Sequence, residues 1–563
     1  MAHALNQVIR DVTLNYLDSI DVDNPPTEQT IEVDILEALA TEIRTINATR
    51  EPGTKWKIPQ KLNFSQIADI MAHLYEICCI KTAGPGASAD FDLLAIYISD
   101  GADEGIYVTD AEVFRRIVKK YNYTITQKEF NECMAALRDL VPHKNRTLDK
   151  DLIPVNNGIF DYKQKKLLPF DPEFIYLQKC RVPYNPFATN PIITNPDGTL
   201  WNVETWVHDL TDDDGITNLL WQVAGAVVRP FVSWNKSIWF YSQKGNNGKG
   251  TFCLLLKQLV GEGAYISLKL DEMGKEFALE PLIHAQAIIT DENDVGIFVD
   301  KCANIKAIIT SDTVQINRKY KTSIPFKPHV VMVQCINEMP RIKDKSDSFF
   351  RRQIFIPFTK CFTGHERKYI KNEYLKRKDV LEYVLYKVLN MDYDEFTIPE
   401  SCKNALDEYK AYVDPIREFM EEIMPKVKWD LLPYTFLYDL YVCWYRETHT
   451  GDRNIKSQRS FIKDIKLLVE NEYPAWVNTD DSSGKRPGNL MDDMEPLIGA
   501  YNVEKWMNPL YKTNMDPLLK CHPLNLSTRY RGIYRLVPQN GSDEDNIIDV
   551  DTDVTDTSDA SDT

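Results

Sequence analysis

SIWFYSQKGNNGKGT, residues Ser237 to Thr251, is an apolar strand pattern that runs directly into a Gly/Asn-rich turn with a lysine at its exit. A loop that cradles phosphate needs small residues, so that successive backbone N–H groups can turn inward, and a cation where the next helix begins. Gly245, Asn246, Asn247, Gly248, Lys249, Gly250 and Thr251 form such a loop, with Lys249 as the mobile charge beside the β- and γ-phosphates of a nucleotide. The strict pattern G-x-x-x-x-G-K-[ST] fails twice. Gln243 stands where the first glycine belongs, and Gly250 takes the Ser/Thr position with Thr251 one place later. The loop must therefore be judged by its surroundings.

Three further segments supply them. AQAIIT runs into Asp291-Glu292, so that Asp291 at a strand end can hold Mg²⁺ through water and Glu292 can polarise an attacking water. An apolar run ending in Asp-Glu is common at surface strand ends; its weight here comes from lying one strand–helix unit beyond a phosphate loop. In VVMVQCINEMP, Asn337 ends a second apolar strand, where an amide can orient the lytic water, although Asn-Glu-Met-Pro also suits a plain turn. In DSFFRRQIFIPF, Arg351 and Arg352 precede another strand; either could reach a neighbouring subunit's site, or both could be surface arginines. Between these lies DTVQINRKYKTSIPFKP, whose alternation predicts a β-hairpin. Its Arg318, Lys319 and Lys321 around Tyr320 suit a single strand of nucleic acid or a solvated face.

Together these residues resemble the superfamily 3 helicases within the AAA+ ATPases, and most closely the helicase part of phage/plasmid and poxvirus-type primase-helicases. GNNGKGTF corresponds to the Walker A loop, AIITDE to Walker B, SDTVQINRKYK to the extra DNA-contacting motif, and NEMPRIKDKSDSFFRR to the sensor and arginine finger. The resemblance implies ATP and Mg²⁺ as cofactors, with Thr251 and Asp291 as metal-side donors, and Lys249, Asp291, Glu292, Asn337 and one of Arg351 or Arg352 as the catalytic set. It also implies a homo-oligomeric, hexameric ring on single-stranded or forked DNA and 3′→5′ movement. A phage or mobile genetic element in a bacterial host cytoplasm is the expected setting, with a separate primase or host replication proteins as further partners. An origin-binding initiator whose ATPase drives assembly is the alternative. A P-loop kinase or packaging motor needs neither the arginine pair nor the hairpin. Residue 250 departs from the family's usual Ser/Thr, and no upstream primase carboxylate triad is legible, so the primase activity is not carried over.

Outward from this core the expected architecture is multidomain. Residues 1–60 read as a helical segment and linker, 61–204 as an α+β domain, and 205–360 as the α/β AAA+ core. Residues 361–540 read as a helical and winged-helix-like DNA-binding domain, and 541–563 as an acidic disordered tail. Core strands are expected at 237–242, 264–269, 285–290, 329–336 and 352–358. The segment 153–170 reads as strands with Asn157-Gly158 as their turn. Ser457 is a candidate N-cap for a helix that carries Arg459, Lys463 and Lys466 on one face, a DNA-contacting pattern, with Arg529, Arg531 and Arg535 nearby. Asp21/Asp23 read as a loop, because Pro25-Pro26 follows.

Bulk properties set the frame. The chain has 563 residues, too many for one core, and 43% hydrophobic residues, enough for packed domains. Its formal net charge of −17 includes nine acids and no base between Gly541 and Thr563, so the first 540 residues carry about −8 and local basic clusters decide partners. Eleven cysteines without a C-x-x-C pair predict reduced thiols, a cytoplasmic setting and no zinc site. No apolar run suggests a membrane span.

Overall fold

The computed structural model describes residues 2–84, 86–242, 244–294, 298–299, 302–319, 321–342, 344, 346–448, 455–479, 486–524, 526–527 and 529–536. Tyr320 and the acidic tail therefore lie outside the described residues. The chain divides into two compact units, Met1–Tyr409 and Lys410–Thr563. The second begins well after the sequence-expected boundary at 361, because helices from 368 to 409 pack on the first unit's core.

The first unit opens with helices Ala2–Leu17 and Glu28–Ala48. Ile31, Ile35, Leu39 and Ile43 recur at helical spacing and are fully buried. Ile31, Ile35 and Leu39 share one apolar cluster with Ile67, Ile70, Phe114 and Phe130. The segment 1–60 is thus part of the same packed body as 61–141, not a separate linker. That body holds a four-stranded sheet ordered Tyr107–Val108, Leu93–Tyr97, Ile77–Ile80, His143–Lys144. Two of its helices are sealed by capping boxes, Asn63 with Gln66 and Thr126 with Glu129.

Strands Leu152–Val155, Gly158–Asp161 and Lys166–Leu168 form an antiparallel meander. Val155 pairs with Gly158, so the turn is Asn156-Asn157 and not the expected Asn157-Gly158. Gly158 lies inside a strand because a Cβ there would sit 2.3 Å from Leu168 O.

The ATPase-like body follows: β1 (Ser237–Tyr241), α1 (Lys249–Val260), β2 (Tyr265–Ile266), β3 (Ala287–Thr290), α2 (Cys302–Ile309), β4 (Val314–Arg318), β5 (Lys321–Phe326), β6 (Val331–Ile336) and β7 (Gln353–Pro357). Five of these strands make one sheet, ordered β2-β3-β6-β1-β7, parallel throughout. All five strand segments fall within the expected ranges. β1, β3, β6 and β7 are buried nearly end to end, as expected for a parallel sheet covered on both faces. Ile238, Phe240, Ile289 and Val333 point to the α1 side. On the other side Trp239, Phe355 and Tyr409 stack, with Phe355 and Tyr409 ring centres 4.6 Å apart. Hairpin β4–β5 stands apart from this sheet, antiparallel, with Ile316 paired to Ile324 and Arg318 to Lys321.

The second unit has helices Pro415–Ile423, Tyr434–Thr448 and Gln458–Glu472 around Phe419, Tyr441, Trp444 and Phe461. Its three-stranded antiparallel sheet is ordered Leu431–Pro433, Gly532–Arg535, Trp476–Asn478. Ser457 caps the third helix through the Ser460 N–H.

Candidate active site

β1 delivers the chain to the carboxyl edge of the sheet, and Lys244 to Gly248 turn it into α1. Asn246 has φ +53° and Gly248 φ +86°, left-handed values that bend the backbone around a concavity. Asn247 Nδ2 donates to Lys244 O and closes the turn. Gly248 is favoured here by its left-handed φ, and a Cβ would also sit 2.6 Å from Leu210 Cδ2, which would have to shift. Gly245 and Gly250, in contrast, face open space. Gly248 is the N-cap residue of α1 and supplies no side-chain cap; the Lys249 N–H reaches Asn247 Oδ1 at 3.4 Å, which leaves the N–H groups of Gly250 and Thr251 for an anion.

Lys249 is buried, 6% exposed. Its ammonium donates to Asn337 Oδ1 at 3.1 Å and Ser242 O at 3.4 Å, both neutral acceptors, and it has no carboxylate partner among the described residues. Burial pushes its pKa below the ordinary lysine value. A buried cation held only by neutral dipoles is costly unless an anion joins it. β6 lies beside β1 in the sheet, so the end of β6 brings Asn337 to this point.

Lys249, Cys253 and Lys257 form one stripe along α1, spaced four residues apart, and it meets the sheet rung by rung. Lys249 touches Asn337, Cys253 Sγ lies 3.3 Å from Cys335 Sγ, and Lys257 Nζ pairs with Asp291 Oδ2 at 2.8 Å. Asp291 is therefore on the α1 face at the end of β3, held two helical turns from Lys249 rather than beside it. Glu292 is exposed and makes no hydrogen bond or ion pair among the described residues. Thr251 is half-buried and lines a cleft of about 610 Å³ together with Gly248, Trp201, Trp206, Phe362 and Lys368.

That cleft and the brace behind the loop were not legible in the sequence. After β7, Phe362 N donates to Asn246 O at 2.7 Å, and Asn246 Nδ2 donates to Glu366 Oε1 at 3.0 Å. CFTGHER carries no motif, and only its return past β1 in space gives it this task.

Other expected residues lie elsewhere. Arg351 is exposed at the amino edge of β7; its carbonyl accepts from Lys236 Nζ. Arg352 Nη1 donates to Ser348 O. Ser237 is level with Gln353, so the length of β1, roughly 16 Å at about 3.3 Å per residue, separates this pair from the phosphate loop of the same chain. On the hairpin, Arg318 Nη2 donates to Thr322 O at 2.8 Å, while Lys319 and Lys321 are exposed. In the second unit Arg459 and Lys463 are exposed on one helix, and Lys466 Nζ lies 5.7 Å from the Tyr434 ring centre. Arg535 is taken by Asp430, Nε to Oδ1 at 2.9 Å, and by the Trp476 ring, so it serves the fold.

Residues 39–211 match the D5 N-terminal-like family and residues 412–496 the poxvirus D5 protein-like family. The chain resembles the primase-helicases of the D5 type. The segment of this D5-like chain that holds the site, residues 240–352, matches a family of unknown function, DUF5906. A protein of Acanthamoeba polyphaga mimivirus named "Putative helicase L207/L206" is 22% identical over 437 residues, 69% of this chain. The match spans only 43% of that relative's length. Among solved structures, apo forms of the NrS-1 C-terminal region align at 14% identity over 75% of this chain and 96% of that one, TM-score 0.41, and at 12% identity over 84% and 100%, TM-score 0.42. No described helix is long and apolar enough to cross a membrane.

The donor set fits the phosphates of a nucleoside triphosphate: the Gly250 and Thr251 N–H groups at the start of α1 and the Lys249 ammonium suit phosphate oxygens. Thr251 and Asp291 carry hard oxygen donors of the kind Mg²⁺ takes, but they stand apart, Thr251 in the cleft and Asp291 against Lys257. A magnesium ion held by either would neutralise phosphate charge.

Proposed function

We propose that this chain is an ATP-dependent replicative DNA helicase of superfamily 3, working as a ring on single-stranded DNA of a virus or mobile element. One observation carries the proposal: the buried Lys249 ammonium, held by Asn337 and Ser242 at the start of α1, with no carboxylate partner among the described residues. Phosphate oxygens complete that site. The nucleobase then falls in the cleft walled by Trp201, Trp206 and Phe362, on the Thr251 side of the loop.

Hydrolysis requires each residue to do one thing. Lys249 holds the terminal phosphate, and Asn337 holds Lys249 in place while contacting the water side. Glu292, solvated and unpaired, orients and deprotonates the attacking water. Arg351 and Arg352 stand at the far edge of their own sheet, so either one stabilises developing charge only in a neighbouring subunit, which favours the ring. In the second unit, helix–strand–helix–helix–strand–strand order with Arg459 and Lys463 exposed supports a winged helix–turn–helix that contacts duplex DNA.

Strand displacement on a forked substrate tests this. The intact chain separates the strands with ATP, and Lys249→Ala abolishes it. Tight, site-specific duplex binding with no displacement would replace the helicase by an assembly ATPase at an origin.

A further inference from the structure

The hairpin tip does not project freely. Arg318 and Lys321, paired across β4 and β5, face a cavity of about 430 Å³ whose other walls are Arg138 and Thr109 from the amino-terminal body and Glu280 and His284 from the segment before β3. Arg146 braces the hairpin's base, with its guanidinium 4.4 Å above the Phe326 ring and Nη2 donating to Lys327 O at 2.7 Å. Thr109 Oγ1 and His284 Nε2 lie 2.9 Å apart and tie the walls together.

The charges in this cavity are not matched by ion pairs. Arg138 Nη1 donates to Asp92 O and Arg318 to Thr322 O, both neutral carbonyls. Among the described residues, Arg138, Arg318 and Lys321 have no carboxylate within 4.0 Å. Asp90 and Glu280 also line the space, so the wall carries three cations against two acids. Burial lowers the pKa of Arg318; Glu280 opposes that and Arg138 adds to it, so the two guanidinium groups feel each other across the cavity. Burial lowers the pKa of His284; Asp110 opposes that, and Lys321 adds to it. Cations from two separate bodies that converge on one polar space are placed for an anion with several acceptor oxygens.

We propose that this cavity binds a backbone phosphate of single-stranded DNA, so that Arg138 of the amino-terminal body and Lys321 of the hairpin tip hold the same phosphodiester. The strand path then includes the amino-terminal body, which carries no DNA-binding motif of its own. This rests on the helicase reading for its ligand, and the test separates the two.

Full-length chain is titrated against labelled oligothymidine by fluorescence anisotropy, without nucleotide, from about 50 to about 200 mM salt. A lost phosphate contact lowers the salt slope by about 0.7 for single strands, so wild-type advantage over the variant shrinks by about 2.6-fold across that range. Arg138→Gln and Lys321→Gln each show this loss, and the double variant loses no more than one contact's worth. Arg138→Lys keeps the slope. Asp90→Asn, in the exposed turn Ala89–Phe91, removes one of the two acids in the wall and tightens binding. If Arg138→Gln melts early, the Asp90 and Lys321 variants decide. The proposal is overturned if the amino-terminal variants bind with wild-type affinity and slope. It is also overturned if inorganic phosphate stabilises wild type but not Arg138→Gln while the DNA slope is unchanged, which would make this a small-anion site. Wild type that binds no single strand at all removes the helicase reading as well; wild type that binds and unwinds, with silent amino-terminal variants, removes only this inference.

Discussion

Two glycines of the phosphate loop, one residue apart around Lys249, should respond oppositely to substitution. Gly248 sits at φ +86° with Leu210 Cδ2 2.6 Å from where a Cβ would go. Gly250 has no neighbour within 4 Å and lies in the first turn of α1. Alanine at 248 adds left-handed strain of about 1–2 kcal/mol and a displacement of Leu210 worth about 1 kcal/mol more. The free loop can escape that strain by relaxing, but binding nucleotide forces it back. A cost of about 2 kcal/mol therefore appears mainly as a roughly 30-fold loss of nucleotide affinity, with little change in melting temperature. Serine at 250 removes a helical glycine, worth about 0.5 kcal/mol or more of stability, and should leave affinity intact. If Thr251 supplies the hydroxyl, Gly250→Ser also leaves magnesium dependence unchanged, whereas Thr251→Val weakens it. Isothermal titration with a non-hydrolysable ATP analogue and a parallel thermal melt read both effects. Gly248→Ala with affinity within about twofold of wild type would refute the reasoning, since the loop would not then be forced to its left-handed form by the phosphates.

Two further outcomes follow from the same fold. On the ring proposal, Arg351→Ala/Arg352→Ala and Lys249→Ala chains should each lack ATP hydrolysis, yet a mixture should regain part of it, since the arginines of one subunit would complete the site of another; a mixture as inactive as its parts would place the arginine pair outside the site. His329 is half-buried near Arg146 and Lys327, and desolvation first, then those two cations, lowers its pKa from 6.5 to about 4. Between these values the unfolded chain binds a proton that the folded chain does not. Stability is therefore lost as pH falls through that window, by roughly 3 kcal/mol for this group. His329→Phe should flatten urea-unfolding stability measured from about pH 7 to about pH 4; an unchanged pH dependence would show that other groups set it.

Sequence made the sheet legible because its strands are buried on both faces and therefore read as short apolar runs, each ending in a polar residue at the carboxyl edge. That rule points to Asp291 and Asn337 just past the ends of β3 and β6, while Lys249 is read from the Gly/Asn-rich turn after β1. What the rule could not give was the distance between strand ends. Asp291 and Asn337 lie on the same face, yet β3 and β6 end at different levels, so one pairs with Lys257 while the other meets Lys249. That difference reflects the register of Thr290 against Gln334, which no periodicity encodes. The packing limits went unread for a similar reason. Residues 1–60 look like a helix and linker because their apolar stripe is narrow, but the stripe is buried by partners up to a hundred residues later. Arg138 shows the consequence most clearly. On its helix it is an ordinary basic residue in the last turn, and composition gives it to solvent. Only the fold sets it opposite Arg318, and two unpaired guanidinium groups facing one cavity is an arrangement that a solvated surface would have no reason to keep.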